Sequence, residues 1–398
     1  MAPTKSPAAG DELEKQAIVA GEARDVLDSG LTPAPVNPPP GAARAGAKFG
    51  LLELGRGGAA ALVVFHHAND VLAEPRFFGV EGFGGHLRNF NVGVDFFFVL
   101  SGFVIAWVHW RDIGDRRRLG RYVVRRFARI YPPYWCVLAS LIALYQMFPG
   151  TGAPSQHDVA TALLSIPLFP NVNPPVLGVA WTLVHEVFFY ALFGVVIAFG
   201  RRAIWIFPAW GVSILVAQWV GDLGFPANFI FNPFNLEFLL GVAGAFWLRG
   251  HRVAAPRLFL TAGIAAFAAA LVVGVHVQDT PIVGRAVFGL SALVALLGAA
   301  EFERNRALNL HPALALFGAA SYATYLAHPE AISILAHIVS PLAPRGVPIE
   351  ATVILVSLVA IVAGMIFHRL IEAPLTSWTR RRLSARQASG ERAVRLGV

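Results

Sequence analysis

The sequence predicts an all-α integral membrane protein, a bundle of about ten transmembrane helices with both termini cytoplasmic. Three observations predict it. Of 398 residues only 14% are charged and 56% are hydrophobic, whereas a soluble chain keeps about 25% charged. The apolar residues gather into segments long enough to cross a bilayer, and mean hydropathy reaches +0.59. The basic residues cluster between alternate segments, the pattern of the positive-inside rule.

Ten segments carry the expectation, at about 50–70, 92–110, 130–148, 177–199, 203–220, 232–248, 257–277, 282–300, 313–340 and 350–371. The run VATALLSIPLF at 159–169 is too short to span and reads as interfacial or re-entrant. Eight arginines lie between Arg111 and Arg129, and further basic residues follow at Arg201–Arg202, at Arg249, Arg252 and Arg257, and at Arg304 and Arg306. The alternate connections hold only Arg76, Arg88, Arg285 and Arg345. No internal repeat is visible, which counts against the duplicated halves usual in transporters.

Composition narrows the partners. The net charge of +8 follows from membrane topology rather than from nucleic-acid binding, because its residues sit between apolar runs. Of the 32 basic residues 29 are arginine, suited to bidentate contacts with phosphate or carboxylate. A single cysteine, Cys136, excludes an internal disulfide and a cysteine-rich metal site, and no metal is expected. Residues 1–48, with stretches such as VNPPPGAARAGAK, hold no hydrophobic segment of signal-peptide length and read as a disordered cytoplasmic tail. Residues 379–398 read as a basic cytoplasmic tail after a membrane domain at 49–378.

Ionisable side chains inside these spans cost ~2.5–3.5 kcal/mol each on insertion scales, so each is a functional candidate. In GRGGAAALVVFHHAND, Arg56 and His67 are eleven residues apart, close to three turns, which puts them on one face about 16 Å apart. His66 is rotated away. Spacing alone leaves two readings open: a shared site, or a snorkelling arginine with capping histidines. In NVGVDFFFVLSGFVI, Asp95 lies toward the same outer side as His67 and is expected either to orient the imidazole or to serve as a helix N-terminal acid. Ser101 lacks a GxSxG elbow and with Gly102 is expected to permit close helix packing. In RRFARIYPPYW, Arg125, Arg126 and Arg129 precede a Tyr-Pro-Pro-Tyr-Trp break, as a phosphate site or as positive-inside charge with an aromatic belt. AWTLVHEVFFYALF buries His185 and Glu186, and the carboxylate needs a partner. SYATYLAHPEAI aligns Tyr322, Tyr325 and His328 on one broad face. Glu372 in HRLIEAPLTSW reads as a helix stop.

Seven stretches in order, GRGGAAALVVFHH, GVDFFFVLSGFVI, RRFARIYPPYW, WTLVHEVFFYALF, EFLLGVAGA, SYATYLAHP and IEAPLTSW, resemble the acyltransferase-3 family of bacterial membrane O-acyltransferases over about residues 50–378. The resemblance implies a catalytic role for His67, which with Arg56 matches the family's first-helix spacing of a basic residue, ten others and a histidine. It matches Glu186 to the family's span-four glutamate, while Val187 stands where many members carry a second one. Glu53 stands for the usual acid before the arginine.

The resemblance further implies an acyl-CoA donor, most often acetyl-CoA, no permanently bound cofactor, and a sugar hydroxyl of a surface glycan or lipid-linked saccharide as acceptor. The expected place is the bacterial inner membrane, among lipids and without nucleic acid. Arg56, Arg125, Arg126 and Arg129 are assigned to the donor, and His67 to base catalysis or transient acyl carriage, oriented by Asp95 or Glu186. Trp181, Tyr322, Tyr325 and His328 are assigned to substrate binding. A macrolide-type acceptor is the alternative within the class. A proton-coupled transporter using Glu186, His67 and Asp95 is the alternative outside it.

Overall fold

The computed structural model describes residues 49–274, 281–304, 306 and 308–383. The N-terminal tail expectation and most of the C-terminal one lie outside these residues. The described chain is helical throughout, without a strand among the described residues. Nine of its helical stretches are long and apolar enough to cross a membrane. The tenth expected span is α1, Gly50–Leu72, whose 23 residues reach about 35 Å. Glu53, Arg56, His66, His67 and Asp70 interrupt its apolarity. Sheltered by its neighbours α2 (Gly93–His109), α11 (Pro312–Ala319), α12 (Ser321–Val339) and α13 (Ile349–Phe367), it holds all of these but the exposed Asp70 at least partly buried.

Helices in lipid gain nothing from excluding water from one another, so close contact needs small residues. α2 crosses α8 (Phe234–Gly250) through a reciprocal pair of glycines. A Cβ on Gly102 would overlap the Phe238 carbonyl oxygen, and one on Gly241 would overlap that of Val99. Gly102 thus has the packing role expected of it. Ser101, one residue earlier, points elsewhere and belongs to the site.

The expected break at Tyr131–Trp135 is absent. α3 runs unbroken over Arg116–Met147 through Pro132 and Pro133. Proline lacks the N–H that bonds four residues back, so the carbonyls of Ala128 and Arg129 lose helical partners while the helix continues. Asp115 caps its start by accepting from the Arg117 amide. Tyr131, Tyr134 and Trp135 donate to the carbonyls of Pro167, Ser165 and Ile166. The short helix α4, Val159–Ser165, therefore folds back along α3 to a level about 18 Å short of its Met147 end. Asp158 caps α4, and the Thr161 hydroxyl and amide hold its carboxyl below the usual carboxylate range.

The remaining helices are α5 (Trp181–Phe199), α6 (Ile206–Val220), α7 (Ala227–Ile230), α9 (Pro256–Val273) and α10 (Pro281–Arg304). α5 packs its aromatic face on α2 and α8: Phe189 stacks on Phe238 at 4.7 Å, which in turn meets Phe98 at 4.5 Å. After α13 a π-helical turn at His368–Glu372 leads into further helix.

Candidate active site

A cavity opens between α1, α2, α3, α5 and α12. Arg56, Arg126, Arg129, Glu186, Tyr322 and Tyr325 line it, with Ser101 and Tyr190 added by the fold. Helical spacing explains the gathering. Arg126 and Arg129 are three residues apart on α3, and Glu186 and Tyr190 four apart on α5, so each pair shares a face.

Glu186 is the cavity's one carboxylate. Its Oε1 accepts from Ser101 Oγ at 2.8 Å and from the Tyr190 hydroxyl. Arg56 and Arg129 lie within electrostatic reach of Glu186 and of Glu372. Among the described residues no carboxylate forms an ion pair with either guanidinium. Arg126 is held in place, its Nη2 donating to His109 Nε2 at 3.1 Å while His109 Nδ1 donates to Asp112 at 2.7 Å. Arg118 completes that chain by donating to Asp112. Three guanidiniums against one carboxylate give the lining a positive excess that suits phosphate or another anion.

At its far end the cavity meets Tyr325, whose hydroxyl bonds to Thr182 Oγ1 at 2.9 Å and donates to the Val179 carbonyl at 3.0 Å. One turn beyond Tyr325 lies a pair of histidines. His328 Nε2 is 3.0 Å from His67 Nδ1, and His328 Nδ1 lies 2.8 Å from the Tyr325 carbonyl. His67 keeps partial exposure, while His328 has none.

Several expected placements differ. Asp95 does not reach His67; it pairs with Arg285 Nη1 at 3.2 Å, with Glu237 sharing that guanidinium at 3.8 Å. Arg285, read from sequence among the connecting residues, sits inside α10 at 14% exposure, because two buried carboxylates offset its charge. Arg125 is exposed on α3 and absent from the cavity lining that Arg126 and Arg129 share. Trp181 is absent from the lining and packs on Phe234 at 4.7 Å. His328 is absent from the lining and is fully buried against His67. His185, without a role in sequence, bonds through Nδ1 to Asn235 at 3.0 Å inside an aromatic cage. His66 faces Asp70 and the Leu87 carbonyl, tying α1 to the turn before α2.

Sequence reasoning missed Tyr190, Glu237 and His109. Tyr190 was readable, four residues past Glu186. Glu237 stood in the quoted EFLLGVAGA stretch, and only the position of Arg285 explains it. His109 ends α2 and meets Arg126 only through tertiary contact.

A family model described as an acyltransferase domain matches residues 50–369. The chain belongs to this acyltransferase family. It is similar to the exopolysaccharide production protein ExoZ of Rhizobium meliloti (strain 1021), 28% identical over 312 residues that cover 75% of this chain and 93% of the relative. It also resembles protein 2 in the picA locus of Rhizobium radiobacter, 30% identical over 175 residues, 39% of this chain and 84% of that one. No solved structure matches it. In this multi-pass membrane acyltransferase, the single helix α1 carries both Arg56 of the arginine-lined cavity and His67 of the histidine pair.

Proposed function

We propose that this acyltransferase moves an acyl group, acetyl in the first instance, from acyl-CoA to a hydroxyl of a glycan. One observation carries the reading. On α1 an arginine facing an arginine-rich cavity and a histidine at a second polar centre lie eleven residues apart, about 16 Å along the axis. That separation suits an elongated donor whose phosphates and thioester lie at opposite ends. The name of the ExoZ relative, an exopolysaccharide production protein, supports a glycan acceptor.

Both termini are assigned to the cytoplasm of a bacterial inner membrane, so the arginine-lined end faces the CoA pool. Arg56, Arg126 and Arg129 hold the phosphates through charge-assisted bonds. His67 removes the proton of the acceptor hydroxyl through Nε2. The oxygen attacks the thioester carbon, a C–O bond forms, and the C–S bond breaks. The departing sulfur takes the proton back from His67, leaving acylated glycan and free CoA thiol. A positioned base of this kind contributes about 10²–10⁴-fold.

The test is mass spectrometry of extracellular glycan from a deletion strain complemented with wild type or His67→Ala. The expected result is an acyl increment restored by wild type alone, with both proteins inserted at equal levels. A normal increment with His67→Ala would overturn the base assignment.

A further inference from the structure

The dipeptide His328-Pro329 has no part in the reaction so far, although it touches the proposed base. Proline at 329 has no N–H to donate four residues back, which leaves the Tyr325 carbonyl without its helical partner. His328 Nδ1 takes that place at 2.8 Å, with the Thr324 carbonyl at 3.2 Å. A carbonyl oxygen only accepts, so His328 Nδ1 carries the hydrogen. Among the described residues no carboxylate bonds to either ring of the histidine pair, so the resting pair is neutral. Neutral His328 then presents the lone pair of Nε2, and the 3.0 Å contact requires the hydrogen on His67 Nδ1. This leaves the lone pair of His67 on Nε2.

We infer that His328 is the positioning residue of the transfer reaction, and that Pro329 sets it by freeing the Tyr325 carbonyl to fix the tautomer of both rings. The inference rests on the reading of His67 as base. His328 does for His67 what a carboxylate does in a Ser-His-Asp triad, holding the ring and the tautomer, but without a charge. When His67 gains the acceptor's proton on Nε2, its Nδ1–H bond to His328 becomes charge-assisted and strengthens. When Nε2 returns the proton to sulfur, the resting pair is regenerated. This arrangement also accounts for the complete burial of His328, which contacts no substrate and needs no opening.

The test uses inside-out membrane vesicles from the producing strain, with their own glycan as acceptor and radiolabelled acetyl-CoA added outside. Vmax per inserted protein and KM for acetyl-CoA are measured for His328→Leu, His328→Gln, Pro329→Ala and His67→Ala. A glutamine carbonyl can stand near Nε2 and accept from His67 Nδ1–H. His328→Gln is therefore expected to keep Vmax within about tenfold, while His328→Leu loses about 10²-fold or more at unchanged KM. Pro329→Ala restores a competing N–H and is expected to lower Vmax several-fold. Wild-type Vmax in His328→Leu, beside an inactive His67→Ala, would overturn this inference alone. An active His67→Ala would overturn the underlying reading. Should His328→Leu fail to insert, an inserted but inactive His328→Gln overturns the acceptor role, and an unchanged Pro329→Ala overturns the role of the proline.

Discussion

Ser101 Oγ donates to Glu186 Oε1 over 2.8 Å, joining α2 to α5 within a cavity that also holds three arginines. The bond converts a residue that sequence suggested for packing into a support for the cavity's single carboxylate. It also gives Glu186 the partner that a buried acid requires. The hydroxyl hydrogen of Ser101 points at this carboxylate, and changing each partner has a different effect.

Glu186→Gln keeps the shape and removes the charge, leaving the three cavity guanidiniums uncompensated. Its expected outcome is an inserted protein whose transfer rate in vesicles falls about 10²-fold, near the lower end of acid–base effects. Ser101→Ala removes one of two hydrogen bonds to Glu186, since that of Tyr190 remains. Loss of a bond to a charged group costs about 1.5–3 kcal/mol of stability. The rate is expected to stay within about tenfold, equivalent to 1.4 kcal/mol of barrier. A Ser101→Ala protein as inactive as His67→Ala would show that the serine reacts covalently.

Arg56 and Arg129 face the cavity without an ion pair among the described residues, whereas Arg125 is exposed on the same helix as Arg129. Replacing Arg56 or Arg129 by methionine removes charge-assisted bonds to donor phosphates, each worth about 1.5–3 kcal/mol. KM for acetyl-CoA should therefore rise about 10-fold or more in each. Arg125→Met should leave KM within about twofold, because its guanidinium contributes only long-range attraction screened by salt. Initial rates over a range of acetyl-CoA concentrations check all three. Equal KM changes at the three positions would mean that bulk positive charge, not the cavity, attracts the donor.

Asp95 and Glu237 share Arg285 deep between α2, α8 and α10. Breaking a buried pair by removing one charge costs about 3–5 kcal/mol. Asp95→Asn is therefore expected to lower thermal stability in detergent and the amount of inserted protein, while the surviving molecules keep their rate. This outcome differs from that of a residue orienting His67, which would cost rate and spare stability. Both oxygens of Glu237 are buried without a hydrogen bond, so Glu237→Gln should be tolerated better than Asp95→Asn. A larger loss of stability in Glu237→Gln would reverse the assignment of the principal ion-pair partner.

The helices were legible in the sequence because lipid imposes a length and a composition on every span. The arginine-rich face of α3, Glu186, and the Arg56–His67 spacing were legible because helical periodicity acts within one segment. Partner choice was not. Nothing local distinguishes Asp95 meeting Arg285 from Asp95 meeting His67, since both lie toward the same end of the bundle. The prolines of α3 misled for a related reason: a proline removes one hydrogen bond, and neighbouring contacts decide whether the helix breaks. Here Tyr131, Tyr134 and Trp135 grip the carbonyls at residues 165–167, and the helix keeps running. His328 looked like a ligand-facing residue because its row of polar neighbours was visible and its burial was not.

The crossing of α2 and α8 holds Ser101 and the Asp95–Glu237 cluster in register, and it depends on absent side chains. A methyl group at Gly102 would overlap the Phe238 carbonyl, and one at Gly241 would overlap that of Val99. Since the clashing atoms are backbone, relief requires the helices to separate rather than a side chain to rotate. Overpacking of this kind costs about 1–3 kcal/mol, occasionally more. Gly102→Ala is expected to lower the melting temperature in detergent and to weaken transfer, because moving α2 carries Ser101 away from Glu186. Gly58→Ala supplies the contrast, since its added methyl meets nothing within 4 Å and alanine suits a helix better than glycine by about 1 kcal/mol. It should leave activity unchanged and stability equal or higher. If Gly102→Ala melted like Gly58→Ala, the α2–α8 contact would be looser than this crossing requires, and the support of Glu186 by Ser101 would lose its structural basis.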